Sequence, residues 1–172
     1  MAGLRKGHCY SHVKRAYTRK SKVRAKSFIK TVPNNKIVRY FMGDQKKKFG
    51  YELRLITKQP IQIRHNALES CRMVVNRRLH LNLGTSYLFN LRVYPHHILR
   101  ENKMLAGAGA DRMQKGMQHS FGKPMGLAAQ LKKGQTVFSV KVDKEHVDAA
   151  KSALRMARPR MPGQFTIEIK EI

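Results

Sequence analysis

Residues 101–126, ENKMLAGAGADRMQKGMQHSFGKPMG, separate two parts of the chain that each show a regular pattern of apolar residues. The stretch holds five glycines and one proline and shows no steady apolar period, so it predicts neither a helix nor a strand with a buried face. Long segments of this kind inside a compact domain are usually either functional or disordered. The sequence therefore predicts a long glycine-rich loop, mobile at about 101–117, and its excess of basic over acidic residues indicates a polyanionic partner.

The half that precedes this loop shows the pattern strand, helix, strand. Strands are predicted at 36–42, 49–58 and 87–94, from alternation bounded by turn residues. Between the last two, Asn66 and Glu69 have the spacing of a capping box, which predicts a helix with Asn66 as its N-cap. Four apolar residues then share one helical face: Leu68, Cys71, Val75 and Leu79. Gly84 is expected to end the helix.

The half that follows the loop repeats the pattern. A strand is predicted at 136–142, and Asp143 is a candidate N-cap for a helix that Pro159 terminates. The last strand is predicted at 165–172, where apolar and polar residues alternate. The fold class is therefore α+β, with two strand–helix–strand units, two main helices, a basic N-terminal arm and one long loop.

The charge of the chain is strongly one-sided. Its 172 residues include 36 Lys and Arg against 10 Asp and Glu, a formal net charge of +26, with a pI near 10.8. A basic domain of this kind is the usual electrostatic footprint of nucleic-acid binding. No apolar run is long enough to span a bilayer and no signal peptide is recognised, so a cytoplasmic protein without a membrane partner is expected.

Residues 1–35 are predicted to form an extended arm, followed by a single domain at 36–172. From Arg5 to Lys48 there are fifteen Lys or Arg and one acidic residue, with Tyr10, Tyr17 and Phe28 between them. One interpretation is a solvated tail, since runs of like charge repel each other. The other, which the overall charge favours, is an arm that orders on RNA, with cations on phosphates and aromatic rings against bases.

The residues that could carry catalysis or bind a metal do not assemble into a known site. Cys9 and Cys71 give neither a disulfide framework nor a zinc knuckle, and no fourth ligand stands near Cys9 and its neighbouring histidines. The run 116–123 fails the spacing of a phosphate-binding loop, and Pro124 replaces the hydroxyl that would hold magnesium. The carboxylates are scattered. We expect no metal, no cofactor and no enzyme activity, so an RNA-acting enzyme or a non-specific DNA-compacting protein is a weaker alternative.

Several long and colinear motifs carry a resemblance. They are YTRKS at 17–21, KSFIKTVP at 26–33, QIRHNALES at 62–70, RVYPHH at 92–97, RENK at 100–103, GAGADR at 107–112 and FGKP at 121–124. Together they resemble the large-subunit ribosomal protein family known as L-ten-e in archaea and eukaryotes, the counterpart of bacterial L-sixteen. The short length resembles the archaeal branch.

The resemblance implies a hammerhead-like mixed sheet and a structural role beside 23S-type rRNA, near the peptidyl transferase centre. It implies that the central loop points towards P-site tRNA and helps organise the A- and P-site tRNA region. Further candidate partners are 5S rRNA and neighbouring ribosomal proteins, and no homo-oligomer is expected. A member of this family is not an enzyme, because peptide transfer is the chemistry of the RNA.

Charge, position and the resemblance together select the expected contact residues. Those expected on rRNA are Arg5, Lys6, Arg15, Tyr17, Arg19, Lys20, Lys22, Arg24, Lys26, Arg64, His65, Arg72, Arg77, Arg92, His96, His97 and Arg100. Those expected in the loop near tRNA are Lys103, Gly107, Gly109, Asp111, Arg112 and Lys115.

Overall fold

The computed structural model describes residues 5–102 and 122–172. Its strands in these ranges are β1 Phe41–Gly43, β2 Tyr51–Thr57, β3 Ile61–Arg64, β4 Leu88–Leu91, β5 His97–Glu101, β6 Lys123–Leu131, β7 Thr136–Val142 and β8 Phe165–Glu171. Its α-helices are α1 His65–Leu83 and α2 Val147–Arg155. The chain is thus α+β, as the sequence predicts, and no helix in the described ranges is long and apolar enough to cross a membrane.

Five strands form the large sheet, in the order β1-β4-β7-β2-β8. Both predicted strand–helix–strand units lie in it: β2 and β4 flank β7, while β7 and β8 flank β2. Each unit inserts one strand between the two strands of the other, and every hydrogen-bonded pair in this sheet is antiparallel. The prediction of a mixed sheet is therefore wrong for the described strands.

Three strands that the sequence did not predict form a small sheet, in the order β3-β6-β5, also antiparallel. β3 begins directly after Pro60, just beyond the strand that was predicted at 49–58. β6 contains Pro124 and Gly126, residues that are depleted in strands. Glu101 and Lys123 are Cα partners across β5 and β6. Both ends of the quoted stretch therefore belong to strands, and the predicted loop is shorter than 101–126.

One hydrophobic core joins the helices to both sheets. The predicted stripe of α1, from Leu68 to Leu79, is fully buried and packs with Leu53, Phe89 and Phe138 of the large sheet. Ile63 of the small sheet belongs to the same cluster. The small sheet is therefore fixed to the body through α1, which contacts both β3 and β6.

One predicted helix start is wrong, the other is confirmed in position but not in its side-chain cap, and the predicted stop is confirmed. Arg64 is the N-cap of α1, and Asn66 only accepts from the N–H of Ala67. Asp143 stands at the N-cap of a short 3-10 helix, Lys144–His146, that leads into α2, but its side chain makes no capping hydrogen bond and pairs with Lys47 at 2.7 Å. In both places the side chain expected to cap has another partner. Gly84 ends α1 with a positive φ of 58°, as predicted.

Candidate nucleic-acid interface

The arm lies across the small sheet and is held there by hydrogen bonds to all three strands. At β3, the N–H of Gln62 donates to the carbonyl of Ser11 at 3.1 Å. At β6, the side-chain amide of Gln130 donates to the carbonyl of Lys14 at 2.9 Å, and also to the Gln62 side chain at 2.9 Å. The arm therefore crosses from one edge strand towards the other, with its backbone turned to the sheet.

At β5 the arm is fixed by both hydrogen bonds and apolar packing. The N–H of Tyr17 donates to Nδ1 of His97 at 2.7 Å, and the N–H of Ile98 donates to the carbonyl of Tyr17 at 3.1 Å. Ile29 is buried against Ile98 and Leu127, with Tyr17 packed beside them. This cluster, named here the arm core, attaches the far end of the arm to the sheet.

His97 must be neutral to accept from Tyr17. Burial, together with the charges of His96 and Arg100, lowers the pKa of His97 to about 4. The imidazole therefore accepts through Nδ1 at physiological pH and carries its hydrogen on Nε2. The prediction that His97 contacts rRNA stays untested, whereas its contact with the arm backbone is direct.

The arm and β5 enclose an open groove of about 850 Å³. Arg15, Tyr17, Arg19, Phe28 and Arg100 line it. The guanidinium of Arg19 lies 4.3 Å from the ring centre of Phe28, and that of Arg100 lies 4.0 Å from the ring centre of Tyr17. Rings and guanidinium planes of this kind are the surfaces on which unpaired bases stack. The structure thus brings together four of the predicted contact residues, with Phe28 added.

Most of the arm's cations point to solvent. Among the described residues, Arg5 is the one arm cation within 4 Å of a carboxylate, 3.9 Å from Glu101. The exposed cations of this face that were predicted to contact rRNA are Arg5, Lys6, Arg15, Arg19, Lys20, Lys22, Arg24 and Lys26. Such a surface matches the phosphate backbone of RNA, because each cation can neutralise one phosphate.

Arg64 and His65 stand where β3 passes into α1. Arg64 donates to the carbonyl of Arg5 at 3.0 Å, and its guanidinium lies 5.4 Å from the ring centre of Tyr10. His65 is buried, and its Nδ1 accepts from the N–H of Lys36 at 3.4 Å. Burial lowers the pKa of His65, with contributions from Lys36 and Arg64. Both predicted contact residues line a pocket of about 350 Å³ at this end of the small sheet rather than an open face.

Arg72 lies in an internal ion pair. Its Nε and Nη2 donate to the two carboxylate oxygens of Glu69 at 2.8 and 2.5 Å, and both side chains are nearly nine-tenths buried. Glu69 also accepts from the N–H of Val38 at 3.4 Å, and Arg72 approaches the sulfur of Met42 at 3.1 Å. The pair thus fixes the segment that leads into β1, and its geometry gives Arg72 a structural role.

The remaining predicted residues are spread out. Arg77 on α1 and Arg92 after β4 are exposed, and His96 is half-buried with Nδ1 3.2 Å from the carbonyl of Tyr94. The structure does not bring these three into the arm groove. The loop residues Lys103, Gly107, Gly109, Asp111, Arg112 and Lys115 lie outside the described residues.

Sequence reasoning missed the residues that dock the arm. Gln62 and Gln130 carry no charge and lie on strands that were not predicted. Phe28 was noted only as one of the aromatic residues between cations, and its contact with Arg19 depends on how the arm folds back. The spacing of aromatic and basic residues in the arm predicts contacts between rings and cations, but it does not predict which ring contacts which cation.

Comparison with known proteins supplies the family. The family model described as ribosomal protein L16p/L10e matches residues 13–168. The large ribosomal subunit protein uL16 of Methanococcus maripaludis strain C7 is 51% identical over 161 residues, covering 92% of this chain and 90% of its own. The protein of the same name from Sulfolobus acidocaldarius is 47% identical over 173 residues, covering 98% of this chain and 95% of its own. The chain therefore belongs to the ribosomal protein L16p/L10e family.

Proposed function

We propose that this protein is a structural constituent of the large ribosomal subunit, held in the cytoplasm by its binding to rRNA and to neighbouring ribosomal proteins. It is not an enzyme: it belongs to a family of ribosomal proteins, and its relatives carry the name of a subunit component. The cationic face of the arm carries this proposal, because its backbone is bound to the small sheet and its side chains are left for phosphates.

Within the subunit, we place the protein near the peptidyl transferase centre, with its central loop towards P-site tRNA and beside the A-site tRNA region. In support, Glu101 and Lys123 are Cα partners, so the two ends of the central segment lie side by side. The basic residues of the segment suit an RNA target. 5S rRNA is a further candidate partner.

Sedimentation tests the function as a whole. In a cell extract treated with DNase to remove DNA, the tagged protein should travel with the large ribosomal subunit through a sucrose gradient. A DNA-compacting protein would instead bind duplex DNA and rRNA equally well in competition. Absence of the protein from the large-subunit fractions would rule out the proposed function.

The loop has its own test. Replacing Ala106–Gln114 by a short Gly-Ser bridge should leave assembly into subunits unchanged and weaken P-site tRNA binding by those subunits. The reason is that the strands rooting the segment keep their pairing, while the cation Arg112 is lost. Filter binding of tRNA to purified subunits measures this, and undiminished tRNA binding would show that the loop is only a linker.

A further inference from the structure

A pocket of about 350 Å³ opens at the end of the small sheet, apart from the arm groove. It lies where β3 passes into α1 and where β5 ends beside the start of β6. Its apolar wall includes Leu99, Met125 and the ring of Tyr10. A volume of this size is about ten times the ~30 Å³ of one water in the liquid, and it lies within the range of small-molecule sites.

Three cations surround the pocket: Arg5, Lys36 and Arg64. Glu101 is the one acidic residue in the described lining, and it lies 3.9 Å from Arg5. Arg64 is oriented by two contacts, because it donates to the carbonyl of Arg5 and its guanidinium lies 5.4 Å from the ring centre of Tyr10. The pocket therefore has an excess of positive charge that is held in a defined position.

His65 supplies a donor that faces the pocket. Its side chain is 7% exposed, and its Nδ1 accepts from the N–H of Lys36, so the ring hydrogen stands on Nε2. No hydrogen bond from Nε2 is found among the described residues. Gly126 lies opposite, and a Cβ at that position would stand 3.5 Å from Nε2. A ring N–H that lines a pocket can donate to an acceptor of a bound ligand in place of water.

The first turn of α1 adds a weaker preference for negative charge. His65 and Asn66 of this turn line the pocket. The helix carries no side-chain cap at Arg64 and no acidic residue in its first turn. The positive end of its dipole is therefore not compensated by the chain itself.

We propose that this pocket binds one unpaired nucleotide of rRNA. The phosphate lies among Arg5, Lys36 and Arg64, the base packs on Leu99 and Met125, and Nε2 of His65 donates to an acceptor of the base or sugar. A phosphate alone would leave the apolar wall unused, and a paired nucleotide could not enter a pocket of this size. The proposal rests on the proposed function, because it names one subsite for the RNA that the arm binds.

The test uses the full-length protein and five RNA hairpins of equal length. Four carry a single bulged A, C, G or U, and the fifth is fully paired. Fluorescence anisotropy at one fixed salt concentration gives the affinity for each. At least one bulged hairpin should bind about fivefold or more tightly than the paired one, the factor that one added hydrogen bond provides.

Variants link that ratio to the pocket. His65→Phe keeps a ring of similar size and removes the donor, so the ratio should fall close to one. Gly126→Ala keeps the histidine and covers Nε2, which gives a second route to the same result if His65→Phe does not fold. Lys133→Gln removes an exposed cation in the turn between β6 and β7 and should leave the ratio unchanged.

The outcomes separate this proposal from the proposed function. If the protein binds every hairpin with the same affinity, or if the ratio survives both pocket variants, the pocket is not a nucleotide site. General rRNA binding would then still stand, because the paired hairpin and the sedimentation experiment report on it independently. If none of the hairpins binds, both the nucleotide site and the proposed function fail.

Discussion

His97 connects the pH to the attachment of the arm. The lowered pKa, about 4 against an ordinary 6.5, means that the folded protein binds fewer protons at this site than the unfolded chain. Stability from this group is therefore fully present above about pH 6.5 and is lost progressively as the pH falls towards 4. Because His97 is only partly buried, we expect a loss of about 1–3 kcal/mol over this interval.

The matched variant for this prediction is His97→Asn, whose side-chain oxygen can accept from Tyr17 but does not titrate. Thermal unfolding measured from pH 7 to pH 4.5 should show a smaller loss of stability in the variant than in the wild type. His65, whose pKa is also lowered, contributes in the same direction and remains in both proteins. Equal losses in the two proteins would show that His97 does not contribute to the pH dependence of stability.

At Arg72 the internal ion pair decides the effect of substitution. Arg72→Met leaves the nearly buried carboxylate of Glu69 without its partner and should cost about 2–4 kcal/mol of unfolding free energy. Arg77→Met, on the exposed face of the same helix, should change it by less than about 0.5 kcal/mol. Chemical denaturation measures both. If the two variants are equally stable, the pair contributes nothing to the fold.

The element that distinguishes this protein from a bare α+β domain is the arm on the small sheet. Ile29→Ala removes most of the side chain that fills the arm core and should cost about 1–3 kcal/mol, because the site is a small cluster. The arm should then leave the sheet more often, and trypsin should cleave faster at Arg19, Lys20 and Lys22. Val23→Ala, at an exposed position, is the control and should leave the cleavage rate unchanged.

Some of the helices and strands could be predicted from the sequence, and others could not. The strand at 165–171, the buried face of α1 and its stop at Gly84 could be predicted, because local period and a single turn residue determine them. The small sheet could not be predicted, because Pro124 and Gly126 are atypical of strands and the register of β6 depends on partners far along the chain. The contacts of the arm with the small sheet could not be predicted either, for another reason. It uses the backbone carbonyls of Tyr10, Ser11 and Lys14, which any residue carries.

At the scale of the whole molecule, the positive charge is concentrated in the N-terminal part of the chain, and the C-terminal part is nearly neutral. From Asp143 to the end, six basic and five acidic residues nearly cancel, and this part supplies α2 and β8. The arm and the segment up to Lys48 hold fifteen basic residues and one acidic residue. The net charge of +26 opposes folding through self-repulsion, so binding to a polyanion should both orient the protein and stabilise it.

The most direct test of this account is the salt dependence of rRNA binding. The combined variant Arg15→Gln, Lys20→Gln, Lys22→Gln and Lys26→Gln removes four exposed arm cations. Its control, Lys58→Gln, Lys144→Gln, Arg155→Gln and Lys170→Gln, removes four exposed cations elsewhere. For binding to large-subunit rRNA, the slope of log K against log salt concentration should fall by about 3 in the arm variant, from counterion release, and by less than about 1 in the control. Equal changes in the two variants would contradict the claim that the arm is the rRNA-binding face.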